Sequence, residues 1–172
     1  PNIVPGRSTR KPLSAFLVNS AVISGGGESV TRTATVNVDG QVCNLVKYAN
    51  NPVLSAGTES NWDKDDVWAP TVLKEQDAYK MWYTGDAGSG PSQIGLASSG
   101  DGVNWAKDPN NPVLSPSETW EARGVGGASV VLESGAYRMW YTGFDSNGTG
   151  RIGYAISPAG ITWTKYGSNP GL

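Results

Sequence analysis

The sequence predicts an all-β chain built from repeated four-stranded antiparallel blades, and three observations carry that expectation. Composition is the first. Gly (23) and Pro (11) are frequent, charged residues make up 16%, and seven Trp and seven Tyr stand against two Phe and two Met. Such a mixture suits short strands joined by tight turns rather than helices. The second is an internal repeat: Ala78-Tyr-Lys-Met-Trp-Tyr-Thr-Gly85 recurs 58 residues later as Ala136-Tyr-Arg-Met-Trp-Tyr-Thr-Gly143. The third is turn chemistry at regular intervals, Asp-Gly and Gly-rich tetrads between short apolar runs.

In chain order, the first 48 residues are the least regular. Ser14 to Ile23, Val30 to Val38 and Gln41 to Tyr48 have strand character, with Ser24-Gly-Gly-Gly-Glu28 and Asp39-Gly40 as turns. Arg7, Arg10 and Lys11 precede an apolar stretch up to Ser24, as in a secretion signal. Ser14, Asn19 and Ser20 interrupt it, and an ordinary strand is the expected state. The absence of an opening Met points to a processed, excised or incomplete chain. Lys47-Tyr-Ala-Asn-Asn-Pro-Val-Leu54 matches Lys107-Asp-Pro-Asn-Asn-Pro-Val-Leu114, which puts Gln41 to Lys47 where a fourth strand belongs. Leu45 replaces the Trp expected there. Residues 1–48 are therefore a degenerate partial blade or an arm that pairs with another chain's sheet edge.

Two full repeats follow, blade 1 over residues 49–114 and blade 2 over 115–172. The first reads as strands Val67 to Lys74, Ala78 to Thr84, Gln93 to Ser98 and Val103 to Lys107. The second reads as Val125 to Leu132, Ala136 to Thr142, Arg151 to Ile156 and Ile161 to Lys165. Four antiparallel strands in a repeat of this length are the pattern of a β-propeller blade. A blade buries neither face alone and stacks on its neighbours through large flat side chains. Trp82 and Trp140, with Trp105 and Trp163, are suited to that packing because they recur at equal spacing. Propellers close at about four to eight blades. Two or three blades imply either a piece of a longer propeller or a subunit completed by association, as a ring or a polymer.

Several chemistries are excluded within this sequence. There is no His, hence no Ser-His or Cys-His pair and no His-ligated metal. The single Cys43 forms no internal disulfide. A net charge of −2 argues against nucleic acid as a partner. No apolar run approaches the roughly 20 residues of a membrane helix, so membrane insertion is not expected.

From Asp63 to Gly85 and in its copy, the sequence resembles the five-bladed β-propeller glycosidase group, glycoside hydrolase families 32, 43, 62 and 130 and their unassigned relatives. Asn111-Pro-Val-Leu114, Met139-Trp-Tyr-Thr-Gly143, Ile152-Gly-Tyr-Ala155 and Gly160-Ile-Thr-Trp-Thr-Lys-Tyr166 carry the resemblance, which covers about residues 45–172. It implies glycosidic chemistry by a pair of carboxylates at the starts of inner strands. Family 43 members often show Trp-Ala-Pro-Asp there. Trp68-Ala-Pro-Thr71 reproduces the frame with Thr71 at the acid's position, and Ser129 stands at the equivalent place in the second repeat.

Other carboxylates lie nearby. Trp62-Asp-Lys-Asp-Asp-Val-Trp68 and Trp120-Glu-Ala-Arg-Gly-Val125 precede the inner strands in equivalent positions. Asp63, Asp66 and Glu121 are the candidate catalytic residues, and Trp68, Asp66 and Arg123 the candidate sugar-binding ones. The alternative for Asp63 and Glu121, which recur, is a loop or cap hydrogen bond beside their Trp. Asp66, Trp68 and Arg123 stand where the repeats diverge, and function breaks symmetry at such places. Asp63, Asp65 and Asp66 lack the Gly and Glu of a calcium loop, so no metal and no cofactor are expected. The leading expectation is a secreted, self-associating module that binds carbohydrate without cleaving it. One alternative is an active glycosidase or glycoside phosphorylase. The other is a structural subunit of an extracellular assembly with residues 1–48 as a donor arm.

Overall fold

The structure is a computed structural model that describes residues 34–38 and 41–171. Its described residues are all-β apart from one short 3-10 turn, Thr119–Glu121. Among them no helix is long and apolar enough to cross a membrane. Contacts divide the chain into two bodies that part between Asn51 and Pro52. In the first body, β1 (Ala34–Val38) pairs antiparallel with β2 (Gln41–Leu45), Val36 opposite Cys43. The strand expected at Ser14 to Ile23 and the signal-like stretch before it lie outside the described residues.

The second body holds two four-stranded antiparallel sheets. The first is ordered β3 (Asp66–Glu75), β4 (Ala78–Asp86), β5 (Gln93–Ser99), β6 (Ala106–Lys107). The second repeats that order with β7 (Gly124–Glu133), β8 (Ala136–Phe144), β9 (Gly150–Ser157) and β10 (Thr164–Lys165). Two-residue turns join the first two strands of each sheet, with Gln76 (φ 41°) and Ser134 (φ 52°) in the left-handed region such hairpins require.

The fourth strands are shorter than the sequence suggested. Val103 to Trp105 does not pair, because the Asp101 carboxylate accepts the backbone N–H groups of Val103 and Asn104 and curls the chain. Those bonds hold Asp101 well below the usual carboxylate range. Beyond β6 the edge of β5 is finished by the Asn-Pro-Val-Leu element. The Asn111 amide accepts from the Leu96 N–H (2.7 Å) and donates to its carbonyl (2.8 Å), while Leu114 bridges to Ile94. Asn169 does the same for Tyr154 in the second sheet. A side-chain amide thus replaces a stretch of strand.

Alternation along β4 explains how the sheets stack. Tyr79, Met81 and Tyr83 share one side, and Lys80, Trp82 and Thr84 the other. Strand β7 lies against β3, β4 and β5. The main core joins Trp82, Ile94, Leu96 and Leu114 of the first sheet to Val125, Val130, Tyr137, Met139 and Ala155 of the second. Trp82 is fully buried, tilted against Tyr137 and edge-on to Trp163. Trp140, at the same place in the second sheet, is 42% exposed. On the other side of the first sheet, Met81, Tyr83 and Ala97 are covered by Leu54, Trp62, Val67 and Trp105.

Candidate functional site

A cleft of about 440 Å³ opens between the two sheets, at the ends where β3 and β7 begin. The first sheet contributes Trp68, Asp86 at the end of β4, and Gly88, Gly90 and Ser92 of the β4–β5 loop. The second contributes Arg123, Phe144 and Gly148. Local sequence sets each wall. The register of β3 against β4 slips between Trp68 and Thr71, with Ala69 at φ 47° in the bulge. The equivalent slip in β7 has Gly127 at φ 60°. Arg123 is fixed by its N–H to the Phe144 carbonyl, and Val125 by its N–H to the Ser92 carbonyl across the cleft floor. Gly148 leaves room for the Arg123 guanidinium, which lies 3.3 Å from where a Cβ would stand. The loop bearing Gly148 is organised by Asp145. Its carboxylate pairs with Arg151 at 2.9 Å and accepts the Thr149 and Asn147 N–H groups, which together hold it below the usual range.

Trp68 and Arg123 therefore meet in one cleft. Asp66 is exposed beside it, directly opposite Asp86 in the β3–β4 ladder, and does not line it. Asp63 and Glu121 lie elsewhere, as the buried hubs of two equivalent clasps. Asp63 accepts from the Lys107 ammonium and from the Tyr83 hydroxyl (3.0 Å). Glu121 accepts from Lys165, from the Tyr141 hydroxyl (2.7 Å) and from the backbone N–H of Ser117 (2.8 Å). Burial works to raise the Glu121 carboxyl, but Lys165, Ser117 and Tyr141 outweigh it and hold it below the usual range. Burial and the adjoining carboxylate push both phenols up, so they stay protonated as donors.

Trp62 stacks on Tyr83 and Trp120 on Tyr141, each with ring centroids 5.9 Å apart. The glycines repeated in each blade make the slot. A Cβ on Gly153 would lie 2.5 Å from the Tyr141 ring and 2.7 Å from Trp120, and Gly95 meets Tyr83 and Trp62 in the same way. Glu121 makes the cap hydrogen bonds weighed as its alternative, Asp63 bonds instead to Tyr83 and Lys107, and neither lines the cleft described above. Thr71 and Ser129 pair with Trp82 and Trp140 in their ladders, outside the cleft wall. Among the described residues no group of three or more Cys, Asp or Glu is placed to hold a metal ion.

Asp86, Ser92 and Phe144 are cleft residues that sequence reasoning missed. Their signal was present, since Asp86 aligns with Phe144 and Ser92 with Gly150. Both differences fall past the end of the matching Thr-Gly runs, where a loop divergence reads as drift.

No protein-family model matches the chain. It is similar to the 1,2-beta-oligomannan phosphorylase of Thermoanaerobacter sp. (strain X514), 29% identical over 133 residues that cover 72% of this chain and 44% of that protein. It is also similar to an uncharacterized protein of Mycobacterium tuberculosis, 31% identical over 109 residues, 60% of this chain and 35% of the other. Among solved structures, a protein of the GH130 family of mannoside phosphorylases and glycoside hydrolases superposes with a TM-score of 0.63 at 23% identity, over 70% of this chain and 40% of that one. The chain thus spans less than half the length of these relatives. The fold is that of the propeller glycosidases. The likeness read from the repeat motifs is met again in sequence, among glycoside phosphorylases.

Proposed function

We propose that the chain is a carbohydrate-binding module of the glycosidase-like propeller type, using the cleft between its two sheets. One observation carries this reading: the side chains of the cleft stand at positions where otherwise matching repeats differ, Gly90 and Gly148 being the matching pair among its lining residues. Trp68 stands where the second repeat has Gly126, Arg123 where the first has Asp65, and Asp86 where the second has Phe144. A feature needed only for packing recurs in each blade, whereas a single binding site does not. The chemistry suits a sugar. Indole and phenyl faces stack on pyranose C–H groups, and a guanidinium with a carboxylate offers paired donors and acceptors to neighbouring hydroxyls. The phosphorylase relatives make β-1,2-linked manno-oligosaccharides the first ligands to try. Binding without cleavage is supported by Thr71 and Ser129 at the expected acid positions and by the burial of Asp63 and Glu121 in clasps.

Calorimetric titration would show binding that Trp68→Ala and Arg123→Ala each weaken at least tenfold. Absence of heat at millimolar sugar, across manno-, fructo- and arabino-oligosaccharides, would sink the reading. Secretion and self-association complete the proposal. Recovery of the protein from culture medium rather than cell extract tests the first.

A second reading, glycoside cleavage, is favoured by the register that sets Asp66 opposite Asp86 at the cleft mouth. Directly opposed strand residues have Cβ atoms about 5 Å apart on one face, which puts two Asp carboxyls within reach of the separations of about 5–9.5 Å that glycosidases use. Under that reading Asp66→Asn and Asp86→Asn each abolish turnover. Unchanged rates in both would remove it.

A further inference from the structure

We propose that Thr84 is the positioning residue of the cleft: its buried hydroxyl pins the bulge of β7 to β4 and so sets the spacing between Trp68 and Arg123. This rests on the carbohydrate reading above and names what holds that site in shape. Thr84 is 1% exposed and stands directly opposite Trp68 in the β3–β4 ladder. Directly opposed residues project on one face of a sheet with Cβ atoms about 5 Å apart. Thr84 therefore shares with Trp68 the face that meets the second sheet.

The bond across the joint answers a need created by the bulge. The register slip between Gly126 and Ser129 takes Gly127 out of the β7–β8 ladder. Its N–H must find another acceptor, and the Thr84 hydroxyl supplies one at 2.9 Å. The preceding glycine receives the other branch of the same side chain. A Cβ on Gly126 would lie 2.7 Å from the Thr84 methyl and 3.0 Å from its hydroxyl oxygen. Thr84 thus fills a notch formed by two successive glycines, and its β-branched side chain has few χ1 settings in which to do so.

A second tie lies nearer Arg123. Val125 donates its N–H to the Ser92 carbonyl at 2.9 Å, and a Cβ on Gly124 would stand 2.5 Å from the Ser92 nitrogen. That tie uses main chain alone, whereas the Thr84 tie depends on one side chain. The notch also fails to recur. Thr84 has a counterpart in Thr142, but Trp68 and Ala69 stand in the first sheet where Gly126 and Gly127 stand in the second. Packing common to every blade would keep both halves of the joint. This joint keeps its notch where Trp68 and Arg123 face one another.

Two substitutions separate the branches of the side chain. Thr84→Val removes the acceptor. Amide hydrogen exchange at Gly127, followed by NMR, should quicken about tenfold, the equivalent of one neutral hydrogen bond. Affinity for the tightest-binding of the manno-, fructo- and arabino-oligosaccharides should fall by a similar factor. Thr84→Ser keeps the acceptor and loses the buried methyl. It should melt at a lower temperature, yet leave Gly127 exchange and sugar affinity close to those of the unmodified chain. Gly126→Ala should weaken binding by forcing the walls apart, and adding Thr84→Ser should restore it, since the methyl that the new Cβ meets is then gone. Unchanged exchange in Thr84→Val would overturn the pin. That readout needs no sugar, so it decides the pin even where the unmodified chain binds none, a result that sinks the carbohydrate reading alone. Quickened exchange with undiminished affinity would remove the positioning role. So would affinities that merely follow the melting temperatures of the variants.

Discussion

Replacing Lys165 by Met would leave the Glu121 carboxylate in a fully buried position with only a hydroxyl and backbone amides as donors. Breaking a buried pair from one side costs about 3–5 kcal/mol, so urea denaturation should show a loss of that order. Acid should act on the same group. The folded pKa of Glu121 lies below its unfolded value of about 4.3. Its stabilisation is therefore complete above that value and is lost as pH falls through the depressed folded pKa. A urea midpoint followed from pH 6 downward should decline first near the unfolded value, and Glu121→Gln should flatten the decline. Ala69 is a separate case. It holds φ 47° in a bulge where the second repeat has a glycine, and an L side chain there is strained by about 1 kcal/mol. Ala69→Gly should stabilise the fold by somewhat less, and Gly127→Ala should destabilise it by about as much, both read from thermal unfolding. That Asp63 and Glu121 serve as hydrogen-bonding groups beside their Trp was legible from their recurrence, but their lysine partners, 44 residues downstream, were not.

At the scale of elements, the four-strand plan was readable because alternation in Tyr-Lys-Met-Trp-Tyr-Thr and the two-residue turns constrain register strongly. The fourth strands were misjudged. Val103 to Lys107 has strand composition, but Asp101 captures two of its backbone donors, and a local side-chain bond of that kind competes with the ladder. The glycines that follow Ile94 and Ile152 are legible only with the structure in hand, as the floor beneath a tryptophan ring. Gly153→Ala would force a methyl group against Tyr141 and Trp120. Overpacking of this kind costs about 1–3 kcal/mol. Gly90→Ala, with nothing within 4 Å of the new atom, should cost far less in the same unfolding assay.

For the whole molecule, the repeat made the blade architecture visible, while the cleft was only half visible. Trp68 and Arg123 were marked by divergence between the copies, but their meeting depends on stacking one sheet on the next, which no spacing within a repeat encodes. The clasps have a consequence for how such a chain is lengthened or cut. Each is closed within its own blade: Asp63, Tyr83, Lys107 and Asn111 for one, Glu121, Tyr141, Lys165 and Asn169 for the other. A duplication or excision whose ends fall near Ser115 therefore carries every fastening along with its blade and strands no charge. Tandem copying in 58-residue steps is the kind of genetic accident this molecule tolerates, and a breakpoint between Asp63 and Lys107 is the kind it does not.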